Sequence, residues 1–173
     1  MNPFRLLPPA LAGLLLLLGC GFAGGEGGAI RPSARKRVDR VEFLDASGAT
    51  RRLAEFNGRV VVIDVWATWC PPCRASLPEV AALQKRAGET FAVLAVSVDR
   101  GGWGDVKPFL EAHPELGLEA FLPASPGALE PFGEIRGIPT TLVVDRHGRL
   151  RERWSGYFPG RAEKALEEAL RES

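Results

Sequence analysis

Trp69-Cys70-Pro71-Pro72-Cys73 is the stretch on which the chain turns. The run Val60-Val61-Val62-Ile63-Asp64-Val65-Trp66 leads into it and a helical pattern from Arg74 to Ala87 leaves it, so a strand delivers two thiols to the start of a helix. Unpaired backbone N–H groups and the positive end of the helix dipole favour a thiolate at the first cysteine. Cys70 is therefore the expected nucleophile. Cys73 falls on the stripe of Leu77, Val80 and Ala81, the helix face turned to the sheet, and is expected to be the shielded, resolving thiol. Pro71 and Pro72 sit where a helix start tolerates proline best. A zinc site would need two further ligands, and only Cys20, His113 and His147 remain, none spaced as a second pair. A purely structural disulfide gains little from so short a loop. Redox chemistry is the reading of this pair, and neither metal nor cofactor is expected.

The 173 residues, 46% hydrophobic and 25% charged, fit one domain and a short extra segment. A formal net charge of +1 leaves no electrostatic footprint for nucleic acid. Residues 1–19 carry one charge, Arg5, before the run Ala10-Leu11-Ala12-Gly13-Leu14-Leu15-Leu16-Leu17-Leu18, which is short for a bilayer crossing and reads as an export signal. Leu17-Leu18-Gly19-Cys20 resembles the lipobox of bacterial lipoproteins, which implies cleavage before Cys20 and a lipid on its thiol. An ordinary signal peptide with Cys20 incidental is the plainer alternative. Residues 20–37, rich in Gly and Ala and then in Arg and Lys, read as a flexible tether spanning roughly 20 to 25 Å. The domain then covers 38–173, outside the cytosol, where the thiol pair needs a partner to re-reduce it.

Within the domain, Val41-Glu42-Phe43-Leu44 and Thr50-Arg51-Arg52-Leu53 flank a turn and predict a hairpin. Phe91-Ala92-Val93-Leu94-Ala95-Val96-Ser97-Val98 is a second buried strand, completing a βαβ unit with the thiols at its carboxyl end, the edge where sites of open α/β sheets lie. Val106, Phe109, Leu110 and His113 predict an inserted helix, and Glu119-Ala120-Phe121-Leu122 a short strand. His113 is read as a helix-terminal residue and His147 as exposed in the turn between Thr141-Leu142-Val143-Val144 and Leu150-Arg151-Glu152-Arg153-Trp154. Ala162, Ala165, Leu166, Ala169 and Leu170 predict a last helix over the sheet. Asp64, inside a buried strand, is expected to have a raised pKa.

The Trp-Cys-Pro-Pro-Cys motif, the insertion between Asp99 and Glu134, and Gly137-Ile138-Pro139-Thr140-Thr141 before the third long strand together resemble the thioredoxin fold. They resemble more closely the extracytoplasmic, membrane-tethered thioredoxin-like proteins of the TlpA and ResA type. The resemblance implies an α/β fold with a central mixed sheet flanked by helices, and a thiol-disulfide oxidoreductase acting on disulfide-containing extracytoplasmic proteins, such as those of cytochrome c maturation or copper sites. A membrane electron donor and a monomer are expected. The resemblance further implies that Pro139 is cis, faces the cysteines and keeps metal off them, with Ile138, Thr140, Trp69, Pro71 and Pro72 forming a substrate edge. Asp64 matches the buried aspartate of ordinary thioredoxins, which moves the proton of the resolving cysteine. Many relatives instead have asparagine there and a glutamate three residues after the second cysteine, a position held here by Ser76. Asp64 is thus read as the replacement base, and Glu79 as a solvated side chain. A metal or haem assembly module using the thiols as ligands, an oxidase or isomerase, and a thiol peroxidase are the alternatives.

Overall fold

The computed structural model describes residues 27–172. The signal read over 1–19 and the lipid site at Cys20 lie outside the described residues. Two apolar runs, β3 (Val60–Trp66) and β4 (Phe91–Ser97), form parallel central strands and are buried along their whole length. The crossover between them is α1 (Pro71–Lys85). The N-terminal hairpin is β1 (Glu42–Leu44) and β2 (Thr50–Arg52), and the insertion supplies α2 (Trp103–Ala112) and β5 (Ala120–Pro123). After it come β6 (Thr140–Val144), β7 (Leu150–Ser155) and α3 (Arg161–Arg171).

The seven strands lie in one mixed sheet of order β2-β1-β5-β4-β3-β6-β7. β5 joins the hairpin to the rest by pairing parallel to β4 and antiparallel to β1. Because successive side chains of a strand point to opposite faces, β3 feeds two cores. Val60, Val62 and Trp66 meet Leu77 and Val80 of α1 and Leu166 of α3, while Val61, Ile63 and Val65 meet Phe43, Phe121 and Leu142 on the other face. Asp64 shares the parity of the first set and so points toward the α1 and α3 side.

Residues 27–37 correct the reading of 20–37 as tether. They lie along β7 as a strap: the Ile30 amide donates to the Arg151 carbonyl at 2.6 Å, and the Leu150 amide to that of Lys36 at 2.9 Å. Antiparallel bridges pair Ala29 with Glu152 and Arg37 with Arg149. The buried Arg35 guanidinium donates to Glu172 at 2.9 Å and to the Ile30 carbonyl at 3.1 Å. Arg151, also buried, reaches Glu172 at 2.7 Å, so one carboxylate at the end of α3 holds both strap and strand. The attachment is backbone hydrogen bonding, Arg35, a donor from Arg161 to the Gly27 carbonyl and the packing of Ile30 on the core, a set that leaves no apolar period in the sequence.

Candidate active site

The chain leaves β3 through Ala67, Thr68 and Trp69, and Asp99 fixes that exit. Its carboxylate accepts from the Thr68 amide at 2.9 Å, the Thr68 hydroxyl at 2.7 Å and the Ser97 hydroxyl at 2.7 Å. A charged-group acceptor with three donors holds the loop at a cost to any movement of it. Sequence reasoning did not find Asp99, although an acid placed directly after a buried strand was a usable signal.

Cys70 caps the N-terminus of α1: its sulfur accepts from the Cys73 amide at 3.2 Å, and Pro71 and Pro72 occupy the first two helical positions, both exposed. A disulfide joins Cys70 to Cys73 across a Cα separation of 5.2 Å. Cys70 is 3% exposed and Cys73 is fully buried, while the Trp69 side chain beside them is 65% exposed. The same amide and the helix dipole that now face the Cys70 sulfur would stabilise a thiolate there after reduction.

The Ile138–Pro139 peptide is cis, and the Ile138 carbonyl oxygen lies 3.6 Å from the Cys70 sulfur. Behind it the Thr140 hydroxyl donates to the Gly137 carbonyl at 2.6 Å and shares a hydrogen bond of 2.8 Å with Ser155. Thr140 is buried. Its side chain braces the loop internally, while half-buried Ile138 packs on the core and lines the cleft beside it. A cleft of about 980 Å³ opens beside the disulfide, lined by Trp69, Val98, Leu122, Leu129, Ile135 and Ile138.

Beneath the thiols, Asp64 is 2% exposed. Burial drives its pKa up to about 7, a Thr141 hydroxyl donating at 3.1 Å opposes the shift, and the charge of Glu79 adds to it. Its other oxygen has no partner. Glu79 corrects the reading of a solvated acid: one of its oxygens accepts from the Gly160 amide at 3.1 Å and the other is buried on the side of Tyr157. The reason is α3, whose N-terminus closes over that side of α1, a contact that the helical phase of α1 alone does not show. Tyr157, in the loop before α3, has its pKa raised by burial and by Glu79. Ser76 is buried and its hydroxyl donates to the Cys73 carbonyl at 2.8 Å. His113 ends α2 with its ring 4.6 Å from that of Phe109, and His147 is exposed in its turn. Among the described residues no group of three or more His, Cys, Asp or Glu is placed to hold a metal ion.

With this geometry in hand, similarity to known proteins is specific. Residues 32–170 match the family model described as Redoxin. The chain is 26% identical over 152 residues to the thioredoxin-like protein YneN of Bacillus subtilis, covering 82% of this chain and 86% of that protein. It is 27% identical over 143 residues to the thiol-disulfide oxidoreductase ResA of Halalkalibacterium halodurans, covering 81% and 78%. The crystal structure of the exposed lipoprotein thioredoxin Etrx1 from Streptococcus pneumoniae superposes with a TM-score of 0.63 at 29% identity, over 76% of this chain and 98% of that one.

Proposed function

We propose that this chain, which belongs to the Redoxin family and is a thiol-disulfide oxidoreductase of thioredoxin fold, serves as a membrane-tethered reductant of disulfides in extracytoplasmic proteins. Cytochrome c precursors and copper-site cysteines are the candidate substrates. The observation that carries the reading is the Cys70–Cys73 pair at the head of α1, with the Ile138 carbonyl facing the Cys70 sulfur.

In the reduced enzyme the Cys70 thiolate attacks one sulfur of the substrate disulfide, forming a mixed disulfide and releasing the other substrate sulfur as a thiolate that takes up a proton. Cys73 then loses its proton to Asp64 and attacks Cys70, which restores the Cys70–Cys73 disulfide and frees the second substrate thiol. Two electrons pass from enzyme to substrate, and a membrane dithiol donor returns them. Asp64 suits the proton step because a carboxyl poised near neutrality can both take and give up a proton there. Trp69, Pro71, Pro72 and Ile138, all around the sulfur pair, are the proposed contacts for an extended substrate. Lipidation of Cys20 supplies the tether, a reading supported by the Leu-Leu-Gly-Cys run and by the pneumococcal relative being described as an exposed lipoprotein.

Equilibration of the protein with dithiol buffers, read by tryptophan fluorescence, tests the direction. A reduction potential below about −220 mV is expected, and one above about −150 mV would make the protein an oxidant or isomerase. Mass spectrometry of the N-terminal peptide from membranes tests the anchor, which is lost if Cys20 carries no lipid.

A further inference from the structure

In the cycle given above, each resolved mixed disulfide puts a proton on Asp64 that has to leave again, and Asp64 is only 2% exposed. Along the sheet it pairs with Ala95 of β4 and Thr141 of β6, so neither neighbouring strand brings it a charge. The Thr141 hydroxyl donates to Oδ1. A carboxyl that accepts there carries its own proton on Oδ2, and that O–H is a donor in want of an acceptor. Oδ2 is buried and has no hydrogen-bond partner in the protein. Asp64 belongs to the face of β3 turned to α1 and α3, and the charge that reaches it is that of Glu79 on α1.

Glu79 is half-buried and stands between Asp64 and solvent. One of its oxygens accepts from the amide of Gly160, the N-cap of α3, and the other is buried on the side of Tyr157. Tyr157 is half-buried as well, and burial, the Glu79 charge and a hydrogen bond to Glu79 all hold its proton in place. The residue before it fixes its position, because the Gly156 amide donates to the Pro139 carbonyl at 2.7 Å. The charged groups in the first turn of α3 are engaged elsewhere: Arg161 with the Gly27 carbonyl and Glu152, Glu163 with Arg86. From the interior outward the order is therefore carboxyl, carboxyl, phenol. A cap on α3 needs only one acceptor atom. It requires neither a second oxygen buried toward a phenol nor a negative charge felt at Asp64.

We propose that Glu79 and Tyr157 are the proton outlet of Asp64: the proton given up by Cys73 passes from Asp64 to Glu79, and Tyr157 takes it on its hydroxyl oxygen while releasing its own proton to water. The same path runs backwards when Cys73 is reprotonated. No electrons move and no bond to sulfur changes in these steps; one proton leaves the interior for each mixed disulfide resolved. Glu79 and Tyr157 act through Asp64 and are positioning residues. The inference rests on Asp64 as the base for Cys73, and the experiment separates the two.

An outlet and a simple repulsion between the carboxylates predict opposite signs. Glu79→Gln keeps an acceptor for the Gly160 amide but cannot carry the proton. If Glu79 acts through its charge alone, removing that charge makes Asp64 the stronger acid, and its proton leaves at least as fast as before. If Glu79 is the outlet, the proton leaves more slowly from the stronger acid. The oxidised full chain is jumped from about pH 5.5 to about pH 8.5, across the range in which Asp64 titrates. Loss of the protonated Asp64 infrared carboxyl stretch, assigned by its absence in Asp64→Asn, is followed in time. It should be at least tenfold slower in Glu79→Gln and at least threefold slower in Tyr157→Phe, and imidazole, an external proton carrier, should restore it in Glu79→Ala. Loss at the wild-type rate in Glu79→Gln overturns the outlet, and in Tyr157→Phe it overturns the part given to the phenol. Resolution of a preformed mixed disulfide at pH 8, where Asp64 starts ionised, should stay within about threefold of wild type in Glu79→Gln and be lost in Asp64→Asn. Wild-type resolution in Asp64→Asn overturns the base on which the outlet rests. Resolution as slow in Glu79→Gln as in Asp64→Asn overturns the outlet by making Glu79 a requirement of the transfer from Cys73 itself.

Discussion

The proposed proton step puts the pH dependence of the thiols on two carboxyl groups, Asp64 and Glu79. The folded pKa of Asp64 is raised, so the native state holds a proton that the unfolded chain has released, and stability falls as pH rises from about 4 to about 7 and is level above. Asp64→Asn removes that penalty. It should stabilise the protein at pH 8 by up to about 4 kcal/mol and little at pH 4, read by urea unfolding. If Asp64 is the base for Cys73, the same variant resolves mixed disulfides roughly a hundredfold more slowly at pH 8. Resolution at the wild-type rate across pH 6 to 9 would leave Asp64 a structural residue. Glu79→Gln withdraws a like charge, so the midpoint of the resolution profile should move to lower pH; an upward or absent shift would remove Glu79 from the site. Asp64 was legible in the sequence because an acid inside an apolar strand has few explanations. Glu79 was not, because its burial is created by α3, eighty residues away.

At the scale of elements, β3, β4 and the Trp-Cys-Pro-Pro-Cys junction were legible because a continuous apolar run and a proline-started helix each have one cheap solution. The hairpin was legible from its turn composition. The strap was not: its partners are backbone groups of β7, and its only buried charge, Arg35, resembles the arginines around it until Glu172 is in place. Hydrogen bonds from Arg151 and then Arg35 lower the Glu172 pKa to about 2. With its folded pKa depressed, its contribution is complete above about pH 4.5 and lost as pH falls toward 2. Exchange at the Ile30 amide, relative to its intrinsic rate at each pH, should therefore quicken over that interval while the amides of β3 stay protected. Arg35→Ala should quicken it at pH 7 as well, by about fivefold, the equivalent of about 1 kcal/mol for a part-buried pair. Unchanged exchange in both cases would show the strap held by backbone bonds alone.

Taken whole, the molecule sets a rigid sulfur pair beside a broad cleft whose far wall comes from the insertion, residues 122–134. A short disulfide needs only the sulfurs, whereas a protein substrate must lie across that wall. Ser125→Trp, at an exposed lining position, should raise KM for a protein disulfide about fivefold and leave the rate with a small disulfide unchanged. Equal effects on both would place the substrate elsewhere. The strap bears on how such measurements are made. Cut at Val38, where composition suggests that the domain starts, the chain would leave β7 as a bare sheet margin with the Leu150 amide and Arg151 carbonyl unsatisfied. A second copy's strand fits such a margin, so a preparation trimmed there would self-associate and lose material to precipitation, and its dimers would be a product of the cut. Soluble protein for assay or crystallisation should begin before Gly27.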